Sequence, residues 1–253
     1  MRFDIITIFP RIFDSYLNES MIKRAREKKL VDIRVHDLRR FSRDKHKKVD
    51  DRTYGGGPGM VIKLEPLVRA ISSLKLKIKN VPKPPLAAGT PAKGLGEKLK
   101  IVLFSATGKQ FNAKMAADWA KKYDRIIMIA GHYEGVDERI KKVVLDLVPR
   151  PSGRDGGPKG LARFSISDLS VGPYVLTGGE LPAMVVLDAV SRHIPGVLGK
   201  EESLEEKRHG VGVSVYTRPE IFIWKGKKYA VPKILLSGDH KKIEEWRKLH
   251  KKF

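Results

Sequence analysis

Residues 170–184, SVGPYVLTGGELPAM, constrain this chain more than any other stretch. They open on a short apolar run, Tyr174 to Leu176, too short for a free-standing helix. Thr177, Gly178 and Gly179 interrupt it. From Glu180 the spacing turns helical, with Leu181, Met184, Leu187 or Asp188, Val190 and Ile194 on one face. Thr177 is the expected N-cap, and Glu180, three residues on, would complete a capping box. The glycines let backbone approach a ligand closely, and a helix start exposes free N–H groups. Such a combination suits a polar ligand held by main chain. An ordinary loop-to-helix junction carries the same local signs, because glycine before a helix is common.

The whole chain narrows the choices. Its 253 residues allow one large domain or two modest ones, and 41% hydrophobic content is enough for a core. No apolar run reaches the roughly 20 residues of a membrane helix. The N-terminus has Arg2 and Asp4 inside an apolar alternation and lacks a signal-peptide layout, so a cytoplasmic protein with no membrane partner is expected. Absence of cysteine excludes disulfides, cysteine–zinc sites and cysteine nucleophiles. The net charge of +22 points to a polyanionic partner, nucleic acid first. The excess is spread: residues 23–52 hold thirteen basic and six acidic side chains, and 199–253 hold fourteen and eight. Two basic regions suit a long ligand.

Along the chain, residues 2–9 read as a buried first strand, through Phe3, Ile5, Ile6 and Ile8, ended by Pro10. Residues 12–17 and 20–29 read as helices, the second capped by Asn18 or Ser20, and 31–35 as a second strand. Strand, helix, strand over so short a span predicts a parallel sheet with crossover helices. Residues 41–60 read as a loop, rich in Gly55–Gly57 and Gly59, with neither a Walker nor a Rossmann pattern. A helix over 64–74 precedes a Lys/Pro/Gly/Ala-rich insertion near 75–98. Strands are expected at 101–104, 125–130 and 143–148, a helix at 113–122, and a second insertion at 149–163. The segments after the strands at 101–104 and 125–130, Ser105–Gly108 and Gly131–Gly135, sit where open α/β sheets bind ligands. His132 could be a base or metal ligand by type, but the other histidines lack ligand spacing, which favours packing. Residues 199–212 read as an interdomain linker. After it come a hairpin over 221–230 and a helix over 239–253, with Ile243, Trp246, Leu249 or His250 and Phe253 as its apolar stripe.

The key stretch, continued to Gly199, closely resembles the knotted-loop signature of bacterial tRNA (guanine-37-N1)-methyltransferases, of the SPOUT class. RFDIITIFPRIFDSYLNESMIKRA, KKVDDRTYGGGPGMV, IAGHYEGVDERI, and VYTRPE followed by VPKILLSGDHKKIEEWR resemble the same family in the same order. The resemblance implies an α/β fold: a SPOUT-type parallel sheet over 1–198 with a C-terminal trefoil knot, then the 199–212 linker and a short, mostly helical RNA-binding domain over 213–253. It implies a homodimer with shared active sites, tRNA as partner and S-adenosylmethionine as methyl donor, and it admits Mg2+ while designating no metal ligands.

The same resemblance places residues around the donor. These are Leu103, Phe104 and Ser105 on its adenine side, then Gly131, Tyr133, Glu134, Ser170, Val171, Gly172, Pro173, Tyr174, Val175, Leu176, Gly178 and Gly179. Arg192 matches the arginine that stabilises charge developing on guanine. Two positions depart from the family pattern. Pro173 stands where aspartate is usual and removes a main-chain donor. Lys207 stands where the family has the aspartate that acts as general base, and the nearest carboxylate, Glu206, is the expected substitute, with Glu205 next. Another SPOUT RNA methyltransferase with a different target, or a knotted RNA-binding protein with reduced catalysis, fits the same resemblance.

Overall fold

The computed structural model describes residues 1–74, 97–147, 164–199 and 213–250. The chain forms two compact units, Met1–Val197 and Leu198–Phe253. The two insertions, apart from Glu97 and Lys98, and nearly all of the 199–212 linker lie outside the described residues.

The first unit is a mixed α/β body around an all-parallel sheet. Its strands are β1 (Arg2–Thr7), β2 (Asp32–Asp37), β5 (Leu99–Gln110), β6 (Arg125–Ile129) and β7 (Phe164–Ser170), in the order β2-β1-β6-β5-β7. Because successive strand residues face opposite sides, each strand feeds two cores. Phe3, Ile5, Val102, Ile126 and Met128 pack on one face beneath α2 (Ser20–Glu27), α4 (Ala113–Lys122) and α6 (Glu180–Ser191). Ile6, Ile101, Leu103, Ile127 and Ile129 pack on the other, against α3 (Leu64–Ser73) and α5 (Ile140–Leu147). Burial on both faces explains why β1 and β6 are nearly continuous hydrophobic runs.

Several expectations are corrected. Of the strand expected at 143–148, residues 143–147 are helical and 148 lies outside the described residues: Ile140 and Val144 are buried and Leu147 packs with them, at spacings of four and three, which is one helix stripe. The missing strand is β7, whose sequence FSISDLS lacks an apolar run because it lies at the sheet edge. The segment around the glycine loop is not all loop, since β3 (Asp50–Arg52) and β4 (Met60–Ile62) pair antiparallel on either side of it. Residues 105–108 are an irregularity inside β5, where its register with β7 shifts between Phe104 and Lys109. The N-terminal helical segment is a 3-10 turn over Pro10–Phe13 followed by a single turn, α1 (Asp14–Leu17). Helix α2 has Glu19 as N-cap without a side-chain bond, in place of Asn18 or Ser20.

The described part of the second unit is not mostly helical. A hairpin of β8 (Ile221–Trp224) and β9 (Lys227–Ala230) is joined by α7 (Lys233–Leu236) and α8 (His240–Leu249). Asp239 caps α8 by accepting from Lys242 N. Ile243 is buried as expected, but Leu249 is exposed, and His250 instead stacks on Trp246 with ring centroids 4.1 Å apart.

Candidate active site

The loops that follow β6 and β7, together with the irregular stretch inside β5, surround one cavity of about 360 Å³. Parallel strands end together on one side of a sheet, so chain exits from neighbouring strands converge there. Leu103, Phe104 and Ser105 come from β5. Gly131, Tyr133 and Glu134 follow β6. Ser170, Val171, Gly172, Tyr174, Val175, Leu176, Gly178 and Gly179 follow β7. Pro173 is not part of the lining.

Close backbone contacts hold the loops together. Gly179 N donates to Gly131 O at 2.8 Å, and His132 and Gly178 form an isolated antiparallel bridge. A Cβ on Gly179 would lie 2.6 Å from Ala130 Cα, so only glycine allows this approach. The glycine loop docks on the same place: Glu134 N donates to Met60 O, and a Cβ on Gly59 would overlap the Glu134 side chain. Ser170 Oγ accepts from Gly172 N and donates to Gly172 O, closing a tight turn at the start of the key stretch. Tyr133 sits at φ +59°, a left-handed conformation that costs a non-glycine residue energy and is concentrated at ligand sites.

The expected capping box is not formed. Gly179 is the N-cap of α6, without a side-chain cap bond, and the buried Glu180 carboxylate instead accepts from Thr7 Oγ1 of β1 at 2.7 Å. The α6 stripe is also rotated from expectation. Ala183, Val186, Leu187 and Val190 are buried, whereas Leu181 is 54% exposed.

Electrostatically the cavity wall carries Glu134, Glu138 and Asp168 against Lys141. Lys141 Nζ is 2.6 Å from Asp168 and 2.7 Å from Glu138. Burial works against its charge, but these bonds outweigh that and raise its pKa. Excess carboxylate suits a cationic ligand such as a sulfonium. His132 packs edge-on between Phe9 and Tyr133, and its Nδ1 is buried beside the cavity without a hydrogen-bond partner. Sequence reasoning missed Glu138, Lys141, Asp168 and Thr177 as wall residues. Asp168, two residues before the key stretch on β7, could have been found once that strand was recognised.

Arg192 does not line this cavity. It is the C-cap of α6, ten residues beyond Pro182, the last residue of the lining, which places it about 15 Å along the helix at about 1.5 Å per residue. Glu205, Glu206 and Lys207 lie outside the described residues. Among the described residues, no group of three or more His, Asp or Glu could hold a metal ion. No described helix is long and apolar enough to cross a membrane.

A parallel α/β sheet with a glycine-lined cavity at its strand ends defines a ligand-binding α/β protein of the kind that holds a small polar group by main chain. The chain belongs to the family described as tRNA (Guanine-1)-methyltransferase TrmD, whose model matches residues 1–253. It is 42% identical to the tRNA (guanine-N(1)-)-methyltransferase of Clostridioides difficile over 98% of this chain and 91% of that protein. It is 41% identical to the protein of that name from Dictyoglomus turgidum and 40% to that from Dehalococcoides mccartyi, each over 98% of this chain and 84% of the relative.

Proposed function

We propose that this chain methylates N1 of guanine 37 in tRNA, next to the anticodon, with S-adenosylmethionine as donor. The carrying observation is the convergence of the β5 irregularity and the loops after β6 and β7 on one carboxylate-rich, glycine-lined cavity, in a chain whose family is described as tRNA (Guanine-1)-methyltransferase. The wall fits the donor, because its carboxylates suit a sulfonium and an ammonium. Bound S-adenosylmethionine supplies a methyl group already activated by positive charge. The chain must therefore hold it, align the guanine and remove the N1 proton.

Leu103, Phe104 and Ser105 border the adenine, and the loops at 131–134 and 170–179 hold the rest. As N1 loses its proton, negative charge grows on the guanine carbonyl oxygen, and Arg192 stabilises it. Glu206 accepts the proton. Lys207 would need a neutral amine, and Glu201, Glu202, Glu205 and Glu206 in the same segment favour its charged form. No step is routed through Mg2+.

The resemblance to SPOUT enzymes extends this reading to a homodimer and a knot. Arg192 lies a helix length from the cavity of its own subunit, so a second copy is the natural source of the guanine-side arginine. Val175, at 87% exposure, and Leu181 and Val185 on α6 leave apolar surface beside the cavity for that copy to cover. The knot is supported by the path of residues 170–179. They leave β7 at one side of β5, yet Gly179 bonds to the loop after β6, on the other side of β5. A compact domain over 213–253 beyond a 199–212 linker, and a cytoplasmic location, complete the proposal.

Calorimetry tests the site. S-adenosylmethionine is expected to bind in the absence of RNA, and light scattering on the same sample is expected to give twice the 28.5 kDa chain mass. No binding heat would leave the reading of an RNA-binding homologue with reduced catalysis.

A further inference from the structure

Among the described residues of its own unit, nothing covers the β8–β9 hairpin. Lys225 and Gly226, both at positive φ, make its two-residue turn, the geometry that matches strand twist. Every residue of both strands is exposed. Phe222 pairs with Tyr229 and Trp224 with Lys227, so these four side chains share one face. Phe222, Trp224 and Tyr229 are each at least half exposed. The rings of Phe222 and Trp224 are 11° from parallel, with centroids 6.5 Å apart, close to twice the ~3.4 Å spacing of successive nucleotides in a strand. The Lys227 ammonium stands 5.4 Å from the centre of the Tyr229 ring. Residues 221–230 carry Lys225, Lys227 and Lys228 and no acidic side chain.

Cross-strand aromatic pairs stabilise a hairpin by themselves. That does not account for rings left in water among lysines. Parallel, exposed rings about two nucleotide steps apart with cations beside them have the chemistry that holds single-stranded nucleic acid, bases on rings and phosphates on ammonium groups. We propose that the Phe222–Trp224–Tyr229 face is a stacking platform for unpaired bases of the RNA substrate, with Lys227 on that face and Lys225 in the turn taking the flanking phosphates. This rests on the reading of tRNA as substrate, and it adds an RNA site on the second unit, separate from the donor cavity.

The test uses the full chain and a fluorescently labelled oligouridylate of about ten nucleotides, within the usual span of such sites. Phe222→Ala and Trp224→Ala are each expected to weaken binding about tenfold, the loss of one stacked base. Trp224→Phe should restore most of it. Lys227→Ala should flatten the salt dependence. Ile223→Thr, on the opposite face, should change nothing, and S-adenosylmethionine binding should be unaltered in all variants. Equal oligonucleotide affinity for wild type and Trp224→Ala overturns the platform even if tRNA is methylated. Loss of methylation activity with ring-dependent RNA binding intact would count against the enzymatic reading alone. A fall in molecular mass in Phe222→Ala or Trp224→Ala would make the face a contact between copies and overturn the proposal, as would ring-dependent binding to phosphatidylserine vesicles without any to RNA.

Discussion

Asp4→Ala is expected to destabilise the Met1–Val197 unit by about 3–5 kcal/mol, the cost of stripping one partner from a buried ion pair. Asp4 is fully buried in β1 and accepts from three side chains: Arg125 Nε at 2.6 Å, His36 Nε2 at 2.7 Å and Arg2 at 2.8 Å. Arg125 is 2% exposed, and among the described residues it reaches, beyond Asp4, only Leu74 O at 3.2 Å and Glu97 at 3.6 Å, while its Nη2 has no partner among them. Without Asp4, a guanidinium is left in the core between β1, β6 and α3. Burial alone would raise the Asp4 pKa, but hydrogen bonds from His36 and Arg2 and the charge of Arg125 overcome it and hold the value at about 2. A folded pKa below the ordinary 3.8 means the stabilisation is complete above pH ~4 and is lost as pH falls toward 2. It amounts to about 2 kcal/mol. Urea midpoints of wild type and Asp4→Ala should therefore converge on acidification through that window. Parallel curves from pH 7 to 2 would remove Asp4 as the cause.

Arg192→Ala is expected to lower single-turnover methylation about 10²- to 10³-fold, as removal of a transition-state charge partner does, with S-adenosylmethionine affinity unchanged. Arg192 is outside the cavity lining of its own subunit, so its loss should lower the rate and leave donor binding as it is. Glu206→Ala is expected to cost about 10²-fold or more, a typical general-base effect, and Lys207→Ala less. A wild-type rate in Glu206→Ala with abolition in Lys207→Ala would instead assign a lysine base.

What the sequence reveals of this fold follows burial. β1, β6 and α4 are legible because their apolar residues must be inside: Ile126 through Ile129 form a short isoleucine-rich run, which suits a strand buried on both faces. β7 and α5 mislead for opposite reasons. An edge strand needs little apolar surface, and the run Val143–Leu145 conceals a helix whose stripe begins earlier, at Ile140. The capping box at Thr177 and Glu180 fails because a partner far along the chain, Thr7, claims the glutamate. No local pattern announces such a competition. The segment after β6 and the break at 177–179 are legible, whereas residues 105–108, read as a turn after a strand, continue β5 as an irregularity, and the gathering of these segments around one donor is implied by the family resemblance. Glu138, Lys141 and Asp168 join that wall only through the packing of α5 beside β7.

Mapping of methylated nucleotides tests the central claim most directly. After incubation of unmodified tRNA with the full chain and labelled S-adenosylmethionine, digestion is expected to place the label on N1 of guanine 37 and nowhere else, and to place none there with the Arg192→Ala chain at the same time point. Label on another nucleotide would mean an RNA methyltransferase with a different target. No label despite bound donor and bound tRNA would contradict the account.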